Sequence, residues 1–318
     1  MQTVLITGGT GLVGTALTLH LLELGYRVIV LGRSIVHPSD PLLKKGVEEK
    51  MLEYKIWNPS AGTVNEQALT EADHVVNLAG AGVADKRWTA SRKLEIRDSR
   101  VNSGNTLTKA LKKLGKKPTT FIQASAIGWY GPDAPESGLP FAEDKPVHDY
   151  YLGNTCKEWE DSTLELEQLG IRRVVLRIGI VLSSKGGALK EFKKPLMGGV
   201  AAIMGDGKQM ISWIEISDLC SMIVFAIQQA SLKGVFNAVA PEPVSNSTLT
   251  KTLARHLLGR FYVPIHVPSF VLNLMLGEMS IEILKSTTVS AAKILQAGFQ
   301  FEAPTISEAI AKTYPLKK

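Results

Sequence analysis

Residues 3–26, "TVLITGGTGLVGTALTLHLLELGY", constrain the fold of this chain more than any other stretch. "TVLIT" is an apolar, β-rich run that stops at glycines. "TALTLHLLELGY" repeats its apolar residues at helical spacing and halts at Gly25. "RVIVLG" then reads as a second strand. Strand, tight turn, helix and strand in quick succession make a βαβ unit, which commits the chain to a parallel sheet covered by helices. "ADHVVNLAG", "TTFIQASA" and "RRVVLRIGIVL" are further near-continuous apolar runs, the signature of strands buried on both faces. Helical patterns separate them in "SRKLEIRDSRVNSGNTLTKALKKLG" and "TCKEWEDSTLELEQLG".

The texture changes after Leu182. "SSKGGALKEFKKPLMGGVAAIMGDGKQ" is rich in glycine and predicts loops and one helix that leave the sheet. "ISWIEISDLCSMIVFAIQQA" and "GVFNAVAPEPVSNSTL" each return as a strand. The expected division is therefore residues 1–182 with 211–240 as a nucleotide-binding domain, and 183–210 with 241–318 as a smaller substrate-side domain. Val267–Leu284 is apolar, but Ser269, Asn273, Glu278 and Glu282 interrupt it, so short core helices are expected rather than a membrane span.

Bulk properties exclude several classes. The 318 residues carry a net charge of +6, much of it in "KALKKLGKK" (Lys109–Lys117). No aromatic residue interleaves that run, so it reads as the solvated face of a helix rather than a nucleic-acid surface. Two cysteines argue against a disulfide scaffold, and the six histidines show no metal-ligand spacing. "MQTVLITGG" is a strand from the outset, so no signal peptide, no membrane contact and a cytoplasmic location are expected.

The turn after the first strand holds Gly8, Gly11 and Gly14 in G-x-x-G-x-x-G, with Thr10, Leu12 and Val13 between them. Missing side chains let backbone N–H groups approach a pyrophosphate, and the helix N-terminus adds its positive dipole. Between a strand and a helix, such a triad predicts a dinucleotide site. The second strand ends "VLGRS", without the carboxylate that binds a ribose 2′-hydroxyl. Arg33 there suits a 2′-phosphate through paired, charge-assisted hydrogen bonds, so the expected cofactor is NADP(H).

"NLAG" (Asn77–Gly80), "SAIGWYG" (Ser125–Gly131) and "WIEISDL" resemble segments of extended short-chain dehydrogenases/reductases. "RWT", "RKLEIRDSR", "SAIGWYG", "EWE", "GIVLSSKGGAL", "GDGKQ", "SWI", "NAVAPEPVSN" and "GFQF" follow in order over nearly the whole chain. Together they resemble an atypical branch, the NAD-dependent epimerase/dehydratase family of the nucleoside-diphosphate-sugar epimerase-like type. The resemblance implies a Rossmann-type doubly wound parallel sheet with a smaller C-terminal substrate domain. It implies that Gly32 and Arg33 hold the adenosine phosphate, that Leu78 and Ala79 pass beneath the ribose and pyrophosphate, and that Val181 flanks the nicotinamide. It also brings Glu95 and Arg100 to the cofactor. These lie five apart on one helix, about 140° around an ideal wheel, so both reach one cleft only if the helix end faces it.

Reductases of that superfamily use a tyrosine hydroxyl for proton transfer, with a lysine four residues later lowering its pKa from near 10. Here Tyr150 and Tyr151 precede Lys157 by seven and six residues. Counting back from Glu160, the usual acid one turn further on, puts Cys156 at the lysine position and Leu152 at the tyrosine position, a register the resemblance supports. Tyr150 and Tyr151 are then packing or substrate-contacting residues, and Cys156 a structural or a reactive thiol. Ser125 lies where the superfamily places a hydrogen-bonding serine and is the leading catalytic candidate; Tyr130 is another, though "WYG" more often shapes a pocket, and Tyr150 or Tyr151 could instead reach the site from the turn before. Glu215 and Ser217 in "WIEISDL" replace a histidine and an aspartate common in the family.

Two functions follow from these readings. One is an NADP(H)-dependent oxidoreductase or epimerase with unusual acid–base groups, acting on a small molecule such as a sugar or carbonyl compound. The other is a non-catalytic NADP(H)-binding or redox-sensing protein that acts through a protein partner.

Overall fold

The computed structural model describes residues 1–115, 117–133 and 138–316. The first half of the chain runs β1 (Thr3–Thr7), α1 (Leu12–Glu23), β2 (Arg27–Gly32), α2 (Pro41–Glu48), β3 (Leu52–Ile56), α3 (Glu66–Glu71), β4 (His74–Asn77), α4 (Ala90–Lys113), β5 (Thr120–Ala126), α5 (Tyr151–Asp161), α6 (Glu165–Gln168) and β6 (Arg172–Ile178). The second half contributes β7 (Ile180–Leu182), α7 (Ala188–Leu196), β8 (Val200–Met204), β9 (Met210–Ile211), β10 (Trp213–Glu215), α8 (Ile216–Gln228), β11 (Gly234–Ala238), β12 (Val244–Ser245), α9 (Asn246–Leu258), β13 (Val263–Val267), α10 (Ser269–Leu276), α11 (Ser280–Leu284), α12 (Ala292–Gln296) and α13 (Ile306–Thr313).

Seven strands form one all-parallel sheet in the order β11-β6-β5-β4-β1-β2-β3. This is the Rossmann-type doubly wound sheet. Alternate residues of each strand feed opposite layers, as the two-residue period of a strand requires. Val4 and Ile6 pack with Leu17, Leu21, Leu219 and Ile223 beneath α1 and α8. Leu5 joins Leu69, Leu107, Leu111 and Leu166 under α3, α4 and α6. The strand order reverses between β1 and β4, so a crevice opens at their C-terminal ends, the place where doubly wound sheets take ligands.

The smaller C-terminal region is built on a third core, in which Leu189, Phe192 and Leu196 of α7 meet Leu249 and Leu253 of α9 and Ile310 of α13. Asp218, buried on α8, accepts from the backbone N–H groups of Glu302 (2.9 Å) and Ala303 (3.1 Å), tying the chain end to the main sheet's flank. The glycine-rich segment 183–209 contains α7 as expected and also a strand, β8, that pairs in parallel with β13. The 269–284 segment is helical, as its pattern predicts, but only partly core: Leu272 and Met279 are buried, whereas Phe270, Leu274 and Met275 are exposed. Among the described residues no helix is long and apolar enough to cross a membrane.

His74 gives the fold a pH response. Its ring is buried in β4, and neither nitrogen meets a hydrogen-bond partner among the described residues. Burial lowers its pKa, helped by Arg172 and opposed by Asp73. The folded state thus refuses a proton that the unfolded chain accepts below about pH 6.5. Stability from this group is present above that pH and falls as pH drops through it, levelling off below the folded pKa. Urea midpoints measured between pH 8 and pH 5 should fall less for His74→Leu than for the parent. Equal slopes would refute the assignment.

Candidate nucleotide-binding cleft

The glycine turn is shaped by close backbone approach. Gly8 has φ +69°, and a Cβ there would lie 2.8 Å from the carbonyl oxygen of Leu78 and 3.0 Å from the nitrogen of Ala79. A Cβ on Gly14 would lie 2.2 Å from Gly8 O and 2.5 Å from Gly9 Cα. Gly11 closes the turn by donating its N–H to Gly8 O at 3.0 Å and is the N-cap of α1. No side chain caps α1 and no acid occupies its first turn. Its first N–H groups therefore face the crevice with their dipole uncompensated, the electrostatics that suit a phosphate. Thr10 and Gly11 are exposed at the turn, while Leu12 and Val13 are half-buried.

Behind this turn runs a buried polar chain that strand patterns alone do not identify. Thr7 Oγ1 donates to Asn77 Oδ1 (2.6 Å) and accepts from the Ala79 N–H (3.2 Å). Asn77 Oδ1 also accepts from Ser103 Oγ (2.6 Å), and Asn77 Nδ2 donates to Gln123 Oε1 (3.0 Å). These groups fix the C-terminal ends of β1 and β4 against the middle of β5. Their sequence signal is a polar residue closing "TVLIT" and "HVVN" and one inside the "TFIQASA" run.

At the outer rim, Gly32 ends β2 and its carbonyl accepts from the Trp57 N–H at 3.0 Å. Arg33 is exposed and, among the described residues, is in no ion pair. Glu95 approaches the same rim from α4. Its carboxyl is held below the usual range by the hydrogen bond from Arg92, with weaker pulls from Lys86 and Arg33. Arg92, missed from the sequence, is buried and anchors the loop before α4 through Gly82 O (2.5 Å) and Glu95 Oε2 (2.7 Å).

Arg100 turns inward from α4. It donates to Ala81 O (2.9 Å) and Ile96 O (2.8 Å), and its guanidinium lies 5.0 Å from the ring of Trp159. A Cβ on Gly80 would fall 2.9 Å from its Cζ, so glycine is required for this packing. Glu95 and Arg100 thus lie at different depths, Glu95 exposed and Arg100 turned inward. On the far side, Gly187 at the start of α7 approaches the glycine turn. A Cβ there would lie 3.2 Å from the Leu12 side chain and 3.4 Å from Val181 O. The half-buried Val181 is thereby placed beside the turn.

The face of α5 nearest β5 carries Leu152 and Cys156. Both pack against Gly128, and the Cys156 thiol points to Ala126 O at 3.6 Å. Burial pushes that thiol up to about 11, with Glu160 acting the same way and Arg100 opposing. At neutral pH it is therefore a protonated, unreactive thiol. The tyrosines are engaged elsewhere: Tyr151 donates to Lys93 O (3.0 Å) and meets Trp88 edge-on, and Tyr150 donates to Glu278 (3.1 Å). Glu278 also pairs with Lys93, linking the C-terminal region to α4 and α5.

Ser125 lies in the interior at 2% exposure, and its hydroxyl donates to Glu160 Oε1 at 2.7 Å. Glu160 is in turn paired with Arg177, Nε to Oε1 2.9 Å and Nη2 to Oε2 3.2 Å. Arg177 continues to Tyr130, whose hydroxyl donates to Asn237. The serine proton is committed to this network rather than presented to the crevice. Glu215 caps α8 by accepting from the backbone N–H of Ser217 (2.7 Å) and is buried. An N-capping carboxylate explains why an acid is stable at this departure from the family pattern.

Comparisons with known proteins agree with the geometry. The NAD dependent epimerase/dehydratase family matches residues 4–238, and a domain of unknown function, DUF1731, matches 267–313. Epimerase family protein YfhF of Bacillus subtilis is 35% identical over 93% of this chain and 92% of its own length. Epimerase family protein SAOUHSC_00792 of Staphylococcus aureus is 34% identical, with 98% of each covered. Among solved structures, human epimerase family protein SDR39U1 (isoform 2), crystallised with NADPH, aligns with TM-score 0.82 and 27% identity over 98% of this chain and 99% of that one. A nucleoside-diphosphate sugar epimerase from Corynebacterium glutamicum aligns with TM-score 0.75 and 32% identity, over 98% of this chain and 57% of its own. The chain belongs to the NAD-dependent epimerase/dehydratase family.

Proposed function

We propose that the chain binds NADP(H) across the ends of β1 and β4 and is an oxidoreductase or epimerase that works without a Tyr-Lys pair. One observation carries the reading: the glycine turn is paired with an exposed arginine that lies in no ion pair among the described residues, not a carboxylate, at the end of β2. Gly8, Gly11 and Gly14 with the α1 N-terminus would hold the pyrophosphate, and Arg33 the 2′-phosphate. Leu78 and Ala79 would line the ribose, with Val181 toward the nicotinamide. The human relative crystallised with NADPH supports the cofactor.

The bound cofactor would supply hydride, and the protein would supply position. Arg100 moves the site's cation from α5 to α4. Its charge acts on Cys156 and Tyr151, which stand near the positions of the absent pair. Leu152, packed on Gly128, provides no proton there. The substrate proton would then come from the substrate or solvent rather than from a tyrosine.

A second reading, an NADP(H) sensor acting through a protein partner, is favoured by that same apolar α5 face. Two measurements separate the readings. Stoichiometric oxidation of bound NADPH by members of a carbonyl and nucleotide-sugar panel supports the enzyme. A partner retained only in one redox state, with no turnover across the panel, supports the sensor. No rise in melting temperature on adding NADPH would remove both.

A further inference from the structure

The segment from Phe261 to Met275 turns large apolar side chains to solvent. Phe261 is 88% exposed, Phe270 72% and Leu274 75%. In the two-stranded ribbon, Val263 pairs with Val200 and Ile265 with Ala202, so these four share one face. The opposite face carries Ala201 and Ile203, both fully buried. β8 is thus seated on the protein through Ala201 and Ile203, while β13 is exposed from Val263 to His266, and α10 begins two residues after β13. At ~200 Å² per ring the two phenylalanines alone expose roughly 300 Å² of apolar surface.

Three features select what covers this face. The first is charge. Residues 243–277 contain no aspartate or glutamate but carry Lys251, Arg255 and Arg260. All three cations are exposed and, among the described residues, lie in no ion pair. The acids that follow, Glu278 and Glu282, are already neutralised by Lys93 and Lys285. A second copy would bring two cationic sets together, whereas an anionic surface attracts them. The second is the edge of β13. Val263 N–H is used on Gly199 O, and Pro264, the next residue along, has no N–H to offer a pairing strand. The third is length: α10 has eight residues, about 12 Å, too short to span a bilayer.

We propose that this face docks on an anionic phospholipid surface, lying in the interface without crossing it. Phe261, Phe270 and Leu274 enter the boundary between headgroups and acyl chains, and Arg260 with its neighbouring cations meets lipid phosphates. This departs from the expectation of no membrane contact that the sequence alone suggested.

Co-sedimentation of the full chain with vesicles tests the proposal. Binding to mixed phosphatidylcholine and phosphatidylglycerol should exceed binding to phosphatidylcholine alone by about tenfold at low salt. The double variant Phe270→Ser/Leu274→Ser should lose it, and Arg260→Glu should weaken it, with melting temperatures unchanged because these side chains are largely solvent-facing. Absence of binding by the parent protein overturns the proposal, as does undiminished binding by the double variant. A parent dimer in light scattering that this double variant converts to monomer would assign the face to a second copy instead.

Discussion

Gly14→Val should abolish NADP(H) binding, weakening it by about a hundredfold or more, close to 3 kcal/mol. The contacts that forbid a side chain here are all backbone. A Cβ would meet Gly8 O at 2.2 Å and Gly9 Cα at 2.5 Å, and neither can rotate away. The turn must open, which displaces the N–H groups at the start of α1 from the pyrophosphate position. Overpacking of this kind also costs ~1–3 kcal/mol of stability. Gly25→Ala is the control. Gly25 has φ +79° with nothing within 4 Å of its Cβ position, so alanine there is strained but remote from the cleft. It should lower stability by about 1 kcal/mol and leave NADPH affinity intact. Calorimetric titration of both variants reads the difference, and tight NADPH binding by Gly14→Val would refute the cradle.

Glu160→Ala should destabilise the fold by about 3–5 kcal/mol, because it strands Arg177 as a buried, unpaired charge. Arg177 is 2% and Glu160 6% exposed, so solvent cannot compensate. Ser125 loses its acceptor at the same time. The paired replacement Glu160→Met/Arg177→Met removes both charges and should recover most of the loss, since buried ion pairs exchange for apolar groups at small net cost. Urea denaturation of Glu160→Met, Arg177→Met and the double variant closes the cycle. A loss below ~1 kcal/mol for Glu160→Ala would show that the network is not structural. This result also bears on Ser125, whose hydroxyl donates to Glu160 Oε1.

What could be read from the sequence, and what could not, follows from where each residue lies. The central strands β1, β2, β4, β5 and β6 are covered on both faces, so they stand out as apolar runs. β3 is an edge strand whose "LEYKI" alternates charge into its pattern. Glu53 pairs with Arg27 at 2.5 Å and with Lys55 at 2.8 Å, so it hides as a polar stretch. β8 and β13 were hidden by glycines and by Pro264 for the same reason: a two-stranded ribbon needs little of a buried strand's signature. In the cleft, Gly8 and Gly14 are legible from glycine spacing between a strand and a helix, whereas Leu78 and Ala79, 70 residues on, are reached only through the family resemblance. The Thr7–Asn77–Gln123 chain and Arg92 are not legible, because polar partners such as Thr7 and Asn77 lie 70 residues apart and only the sheet order joins them. Counting back from Glu160 identified Leu152 and Cys156, and both pack on Gly128 at the end of β5.

A nucleotide cleft tuned to a 2′-phosphate is the feature on which the proposed function turns. Titration of the purified protein and of Arg33→Ala with NADPH and NADH tests it most directly. The parent should bind NADPH about tenfold or more tightly than NADH, and Arg33→Ala should erase the preference by weakening NADPH alone, a loss of ~1.5–3 kcal/mol for a charge-assisted contact. Equal affinities in the parent, or an unchanged NADPH affinity in Arg33→Ala, would contradict it.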